Sequence, residues 1–172
     1  KNIFVALDTQ KVSEAHKIIN LIKEHIAGVK LGLEFFSKNG PEGIKSFANL
    51  KLPIFLDLKF LDIKNTVVKA IESLDGLPIE YLSIHTLNGR QTLLEAKKKA
   101  NGLAKPIKLL GITILTSFSE KTLQEIGVKN SIPEQVTMLA QLAKETNLDG
   151  IVCSPHEVKK IKNICEKMEI FT

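Results

Sequence analysis

The chain has 172 residues, 44% of them hydrophobic and 25% charged, the size and balance of one soluble domain (1–172) with its own core. No apolar stretch approaches the ~20 residues of a spanning helix, so a membrane protein is excluded. The formal charge is +5, from 24 basic against 19 acidic residues, and every basic residue except Arg90 is lysine. Readers of nucleic acid favour the arginine fork. Lys97-Lys98-Lys99 and Lys159-Lys160 fall in helical patterns and read as solvated helix faces, so no nucleic-acid partner is expected.

Lys1-Asn2-Ile3-Phe4 runs straight into a strand pattern, and no signal or transit segment is expected. Short apolar runs then recur at Ile3–Leu7, Gly28–Leu33, Pro53–Phe60, Tyr81–His85, Lys108–Leu115, Gly150–Cys153 and Glu169–Phe171. Amphipathic stretches lie between them. Ala15, Ile18, Ile19, Ile22 and Ile26 mark the first at helical spacing. Gly40-Pro41-Glu42 reads as a weak helix start, and a short helix begins near Ser119 and ends at Gly127. Ser131-Ile132-Pro133-Glu134 and Ser154-Pro155-His156-Glu157 both read as capping boxes with proline in the first turn. The two cysteines, Cys153 and Cys165, have neither metal spacing nor a disulfide framework, and a reducing cytoplasm is the expected location.

Strands alternating with helices predict a parallel sheet covered by helices. The first five strand starts fall roughly 25 residues apart, with no glycine-rich dinucleotide loop, which favours a (β/α)8 TIM barrel over a doubly wound sheet. Seven strands are counted where such a barrel has eight, and complete barrels typically run ~250 residues. The C-terminal strand is therefore expected to be missing from this sequence.

The chemistry concentrates in Pro53-Ile54-Phe55-Leu56-Asp57-Leu58-Lys59-Phe60-Leu61-Asp62-Ile63. Alternation puts Ile54, Leu56, Leu58 and Phe60 on the helix-facing side and Asp57 and Lys59 on the inner side, near the strand's C-terminal end. Asp62 follows in the loop. Inner-face charges are costly unless paired. Asp8 closes the first strand and Lys30 lies in the second, so Asp8, Lys30, Asp57 and Lys59 are expected to converge at one mouth. A structural ion pair plugging the barrel is the competing reading. His85 ends a strand and is read as structural or as a general acid, Cys153 as a small core residue, and Asp149-Gly150 as a turn.

Asp57-Leu58-Lys59-Phe60-Leu61-Asp62-Ile63-Lys64-Asn65-Thr66 closely resembles the signature of the orotidine 5'-phosphate decarboxylase family. Asp-x-Lys-x-x-Asp alone is shared with relatives that act on sugar phosphates; Ile63 and Asn65-Thr66 point to the orotidine branch. Ala6-Leu7-Asp8, Val29-Lys30-Leu31-Gly32, Ile84-His85, Leu115-Thr116-Ser117 and Gly150-Ile151-Val152-Cys153-Ser154 fall in the family's order, so the resemblance spans the chain. Lys64 stands where the family usually has proline, and the resemblance implies that the family's C-terminal phosphate-binding segment is missing from this sequence.

The resemblance implies a carboxy-lyase of pyrimidine biosynthesis acting on orotidine 5'-monophosphate. Asp8 and Lys30 would hold the ribose hydroxyls. Asp57 would lie near the departing carboxylate, and Lys59 would protonate C6. Asp62, Ile63 and Thr66 would bind substrate, with Asp62 and Thr66 reaching into the neighbouring subunit of a homodimer. Thr116, with Ser117 or Ser119 as alternatives, would contact the pyrimidine. No cofactor motif or metal cluster is found, so preorganised charge is expected to do the chemistry. The alternatives are a sugar-phosphate decarboxylase or synthase on the same barrel, and a catalytically silent nucleotide-binding barrel.

Overall fold

The computed structural model describes residues 2–172. Seven parallel strands form one sheet in chain order: β1 (Phe4–Ala6), β2 (Gly28–Gly32), β3 (Ile54–Phe60), β4 (Tyr81–His85), β5 (Lys108–Ile112), β6 (Gly150–Val152) and β7 (Glu169–Phe171). The helices are α1 (Val12–Ile22), α2 (Leu33–Lys45), α3 (Lys64–Ser73), α4 (Gly89–Asn101), α5 (Glu120–Glu125), α6 (Ile132–Glu145) and α7 (Val158–Ile164). Each strand pairs with the next, as parallel crossovers through helices require. Among the described residues no helix is long and apolar enough to cross a membrane.

Several expected boundaries shift, most of them by a residue. The second strand stops at Gly32, and Leu33 already belongs to α2. The fifth stops at Ile112 rather than running to Leu115. Gly40-Pro41-Glu42 does open a helical segment, as expected, but with no loop before it. It interrupts α2, where Gly40 takes φ 58° and ψ −161°, and the helix resumes through Pro41. A positive φ costs glycine little, and proline suits the first turn of the resumed segment. Both predicted capping boxes form. Glu134 accepts the Ser131 N–H at 2.9 Å and its hydroxyl at 2.7 Å, and Glu157 accepts the Ser154 N–H at 2.9 Å.

Two apolar assemblies follow from the strand pleat. The helix-facing side carries Val29, Leu31, Ile54, Leu56, Leu82, Ile84, Leu109 and Ile151, buried against Ala15, Ile19, Phe35, Val67, Leu93 and Leu139 from the helices. The inner side carries Phe4, Phe55, Tyr81, Leu110, Val152 and Phe171. Phe4 of β1 and Phe171 of β7 meet edge to face at 5.2 Å between ring centroids, so the first and last strands are brought together across the interior and the sheet curls. Phe171 also meets Phe55 at 5.6 Å and Tyr81 at 5.2 Å, giving the interior an aromatic floor. Gly28 leaves room for it: a Cβ there would lie 2.3 Å from the Phe4 ring.

Below the floor, Tyr81 donates its hydroxyl to Glu169 at 2.9 Å, and Lys108 reaches the other Glu169 oxygen at 2.8 Å. Burial and the Glu169 carboxylate push the Tyr81 hydroxyl up to about 12. Asp149 accepts Lys97 at 2.7 Å and the Leu109 N–H at 2.7 Å, pinning α4 to the start of β5. The charges at this end act as fasteners.

Phe55→Ala should remove the centre of the floor and cost about 3–5 kcal/mol in urea unfolding, whereas Leu21→Ala, on an exposed face, should change stability by less than about 0.5 kcal/mol.

Candidate active site

Two residues beyond Phe55 and Tyr81 on the same inner face come Asp57 and Ser83, and two residues beyond Gly28 comes Lys30. These positions meet directly above the aromatic floor. Lys59 Nζ donates to Asp57 Oδ2 at 2.7 Å, and Lys30 Nζ lies 3.5 Å from the same oxygen. Ser83 Oγ donates to Asp57 Oδ1 at 2.8 Å. Asp57 is only 8% exposed, while the Lys30 and Lys59 side chains keep 27% and 40% of their surface open. The carboxylate is thus interior and its two cations border the mouth.

Lys59 reaches this position through an irregular backbone. The β3–β4 pairing passes from Leu56↔Leu82 to Phe60↔Ile84, so four steps along β3 match two along β4. The bulge contains Lys59 in the left-handed region, at φ 52°. Its N–H finds no ladder carbonyl and donates instead to Ser83 Oγ at 2.8 Å. Simple alternation predicted the correct face for Lys59 but not this geometry.

Burial pushes the Asp57 carboxyl up, but hydrogen bonds from Lys59 and Ser83 and the charges of Lys59 and Lys30 outweigh it and hold the group below the usual carboxylate range. His85 faces the same interior, 7% exposed. Burial, and then the Lys59 charge, lower its basicity, so the ring is neutral at pH 7. Its Nδ1 accepts the Leu87 N–H at 3.4 Å, which leaves the proton on Nε2.

The remaining expected site residues lie around this centre. Asp8 does not join the array: it is exposed and has no ion pair with any described residue. Asp62, Ile63 and Thr66 are exposed on the loop after β3 and the first turn of α3. Asp62 Oδ1 accepts the Ile63 N–H at 2.7 Å. Asn88 clamps this loop, donating to the Phe60 carbonyl at 2.7 Å and the His85 carbonyl at 2.8 Å, and accepting the Asp62 N–H at 3.3 Å. Thr116 and Ser117 are exposed in the turn between β5 and α5; Ser119 caps α5, accepting the Thr122 N–H at 3.2 Å. Cys153 is buried in the core, where burial raises its thiol to about 11 and leaves it inert. Among the described residues, no three His, Cys, Asp or Glu side chains form a metal-binding group.

Sequence reasoning missed Ser83 and Asn88. Ser83 carried one legible signal, a lone hydroxyl at an inward position between apolar Leu82 and Ile84. Asn88 carried none, because its partners are backbone groups.

Two ammonium groups around one carboxylate leave one net positive charge facing a half-open mouth. Such a site suits an anion, or negative charge that develops during reaction.

The family model described as "Orotidine 5'-phosphate decarboxylase / HUMPS family" matches residues 1–172. The chain belongs to this family. It is 43% identical over 165 residues to a protein named orotidine 5'-phosphate decarboxylase from Wolbachia pipientis subsp. Culex pipiens, covering 96% of this chain and 72% of the relative. A protein of the same name from Sphingopyxis alaskensis is 44% identical over 160 residues, covering 93% and 70%. Among solved structures, orotidine 5'-phosphate decarboxylase from Lactobacillus acidophilus superposes with a TM-score of 0.84 at 34% identity, covering 99% of this chain and 78% of that one. An uncharacterized conserved protein from Geobacillus kaustophilus gives 0.88 at 30% identity, covering 97% and 80%. With those neighbours, the curled parallel sheet belongs to the TIM-barrel class, and the chain spans about three quarters of its relatives' length.

Asp57→Asn should destabilise the protein near neutral pH by about 1–3 kcal/mol, because two lysines lose their shared counter-charge. The Asp57 carboxyl is depressed in the folded state, so its contribution is complete above the unfolded value near 3.8 and disappears as pH falls through the lower folded value. The difference between wild type and variant in urea unfolding should therefore hold from pH 7 to about 4 and shrink below it.

Proposed function

We propose that the chain catalyses decarboxylation of orotidine 5'-monophosphate to uridine 5'-monophosphate, as a carboxy-lyase of pyrimidine biosynthesis, with Lys59 stabilising and protonating the C6 carbanion. The observation that carries this reading is the Lys30–Asp57–Lys59 contact, with Lys59 2.7 Å from the Asp57 carboxylate, in a chain of this family.

Loss of CO2 from C6 breaks the C6–carboxylate bond and leaves its electron pair in an sp2 orbital that no ring carbonyl can absorb. A positive charge fixed beside C6 lowers the energy of that pair. At ~4 Å and an effective dielectric of ~20 one ammonium contributes about 4 kcal/mol. Enzymes lower barriers by ~8–23 kcal/mol, so the rest must come from exclusion of water and from binding energy on remote parts of the nucleotide. Lys59 then gives one Nζ proton to C6, and a solvent proton restores it. Asp57 holds Lys59 in place and keeps it charged. Its own charge next to the substrate carboxylate favours departure of CO2.

The other roles follow the family signature. Lys30 and Asp8 hold ribose hydroxyls, and Thr116, or Ser117 or Ser119 in its place, contacts the pyrimidine. Asp62, Ile63 and Thr66 bind substrate, Asp62 and Thr66 doing so across a homodimer. Support for the dimer lies on the surface. Leu33 is 62% exposed, Leu61 55% and Ile63 74%, an apolar rim beside Asp62 and Thr66. A depression of about 380 Å³ adjoins it, lined by Phe36, Leu58, Phe60 and Val67 among others. Apolar rims of this kind mark interaction surfaces. We assign the reaction to the cytoplasm, a reading that the free, buried Cys153 and Cys165 support, since a reducing compartment keeps thiols unpaired.

Turnover is read from the fall in ultraviolet absorbance of orotidine monophosphate. It should proceed in EDTA, and Lys59→Ala should lower kcat by about a hundred- to ten-thousandfold. Loss of activity in EDTA, or turnover of a pentulose or hexulose phosphate in its place, would overturn the reading. Ile63→Glu should shift the protein from dimer to monomer in sedimentation, and mixing Asp62→Ala with Lys59→Ala, each inactive alone, should restore part of the activity through mixed dimers if sites are shared.

A further inference from the structure

We infer that Ser83 is a positioning residue for the reaction, setting the Lys59 ammonium through both its backbone and its counter-ion. This inference rests on the proposed decarboxylase reading and extends it to a residue on a strand outside the signature.

The hydroxyl is fully buried. It donates to Asp57 Oδ1 at 2.8 Å and accepts the Lys59 N–H at 2.8 Å. Both bonds are demanding. The Lys59 N–H sits in a bulge where the ladder offers it no carbonyl, on a residue held at φ 52°. For a non-glycine residue that conformation is unfavourable and persists only when its surroundings enforce it. The Asp57 carboxylate is buried, and each of its oxygens needs a donor. One oxygen atom on β4 meets both needs. Only a group that donates and accepts at once can do so, which a hydroxyl does and a methyl does not.

The two bonds also divide the carboxylate. Ser83 occupies Oδ1, leaving Oδ2 for Lys59 at 2.7 Å and Lys30 at 3.5 Å. If the carboxylate rotates, or the bulge relaxes, the ammonium moves away from the position where C6 must receive its proton. Misplacement by a fraction of an ångström is enough to slow an oriented reaction. The charged groups facing Asp57 are Lys30 from β2 and Lys59 from β3; His85 of β4, its basicity lowered by burial, acts on Lys59 rather than on Asp57. Removing the serine proton from this set leaves Asp57 easier to protonate.

The test compares wild type with Ser83→Ala and Ser83→Thr, using full steady-state kinetics and pH profiles on orotidine monophosphate. Ser83→Ala should lower kcat by about ten- to a hundredfold, the range for a hydrogen bond to a charged group, with KM changed by less than about threefold. The acidic limb of kcat/KM should move to higher pH. Ser83→Thr keeps the hydroxyl and should recover most of kcat and return the limb. In parallel, Asp57 is titrated by carbon-13 NMR of labelled aspartate, and its midpoint should rise in Ser83→Ala and not in Ser83→Thr. If Ser83→Ala does not fold, Ser83→Cys, close in size but a weak hydrogen-bond partner, takes its place in every measurement. An unchanged kcat and limb, or a loss that only matches the unfolded fraction, overturns the inference. An inactive wild type overturns the decarboxylase reading instead, and the Asp57 titration then decides the positioning role alone.

Discussion

A carboxylate can sit inside a protein only if its lone pairs are met. Asp57 meets this condition with a serine hydroxyl on one oxygen and two ammonium groups on the other. The rest of the centre depends on that arrangement. It allows two lysines to share a small volume without expelling each other, and it keeps both at the edge of solvent, where a charged nucleotide can arrive. Removing the carboxylate would turn an ordered array into two repelling cations. Removing either lysine would leave a buried anion partly unpaired.

The aromatic floor and the charged layer are two consequences of one pleat. Phe55 and Asp57 are neighbours on the same face of β3, as Tyr81 and Ser83 are on β4. The apolar rings fill the narrow part of the interior and shut out water from below. The polar residues can then be placed with a dry side and a wet side. Leu56, Leu82 and Ile84 point the other way and bind the sheet to its helices, so the same strands that hold the site also anchor it.

Much of this was legible in the sequence. All seven strands, both capping boxes and the grouping of Lys30, Asp57 and Lys59 follow from periodicity, proline and glycine placement, and the rule that inner-face charges need partners. Other features left no readable trace. The bulge at Lys59 has no glycine to announce its positive φ, because tertiary hydrogen bonds enforce it. Asp8 read like a fourth member of the array, since alternation reports the end of a strand but not whether a side chain there finds a partner. Asp149 read as a turn residue, yet its carboxylate fastens Lys97 and the Leu109 N–H, groups distant along the chain. Leu33 read as the end of a strand because one apolar residue does not distinguish the last step of β2 from the first turn of α2.

The ring contact between Phe4 and Phe171 joins residues separated by nearly the whole length of the chain. As the polypeptide leaves the ribosome, the early strands can pair with their helices one unit at a time, since each partner is the next in line. The interior cannot be sealed until Phe171 has emerged. Until then Phe4, Phe55 and Tyr81 present uncovered rings, and a nascent chain arrested before that point would be a natural client for chaperones that recognise aromatic surface.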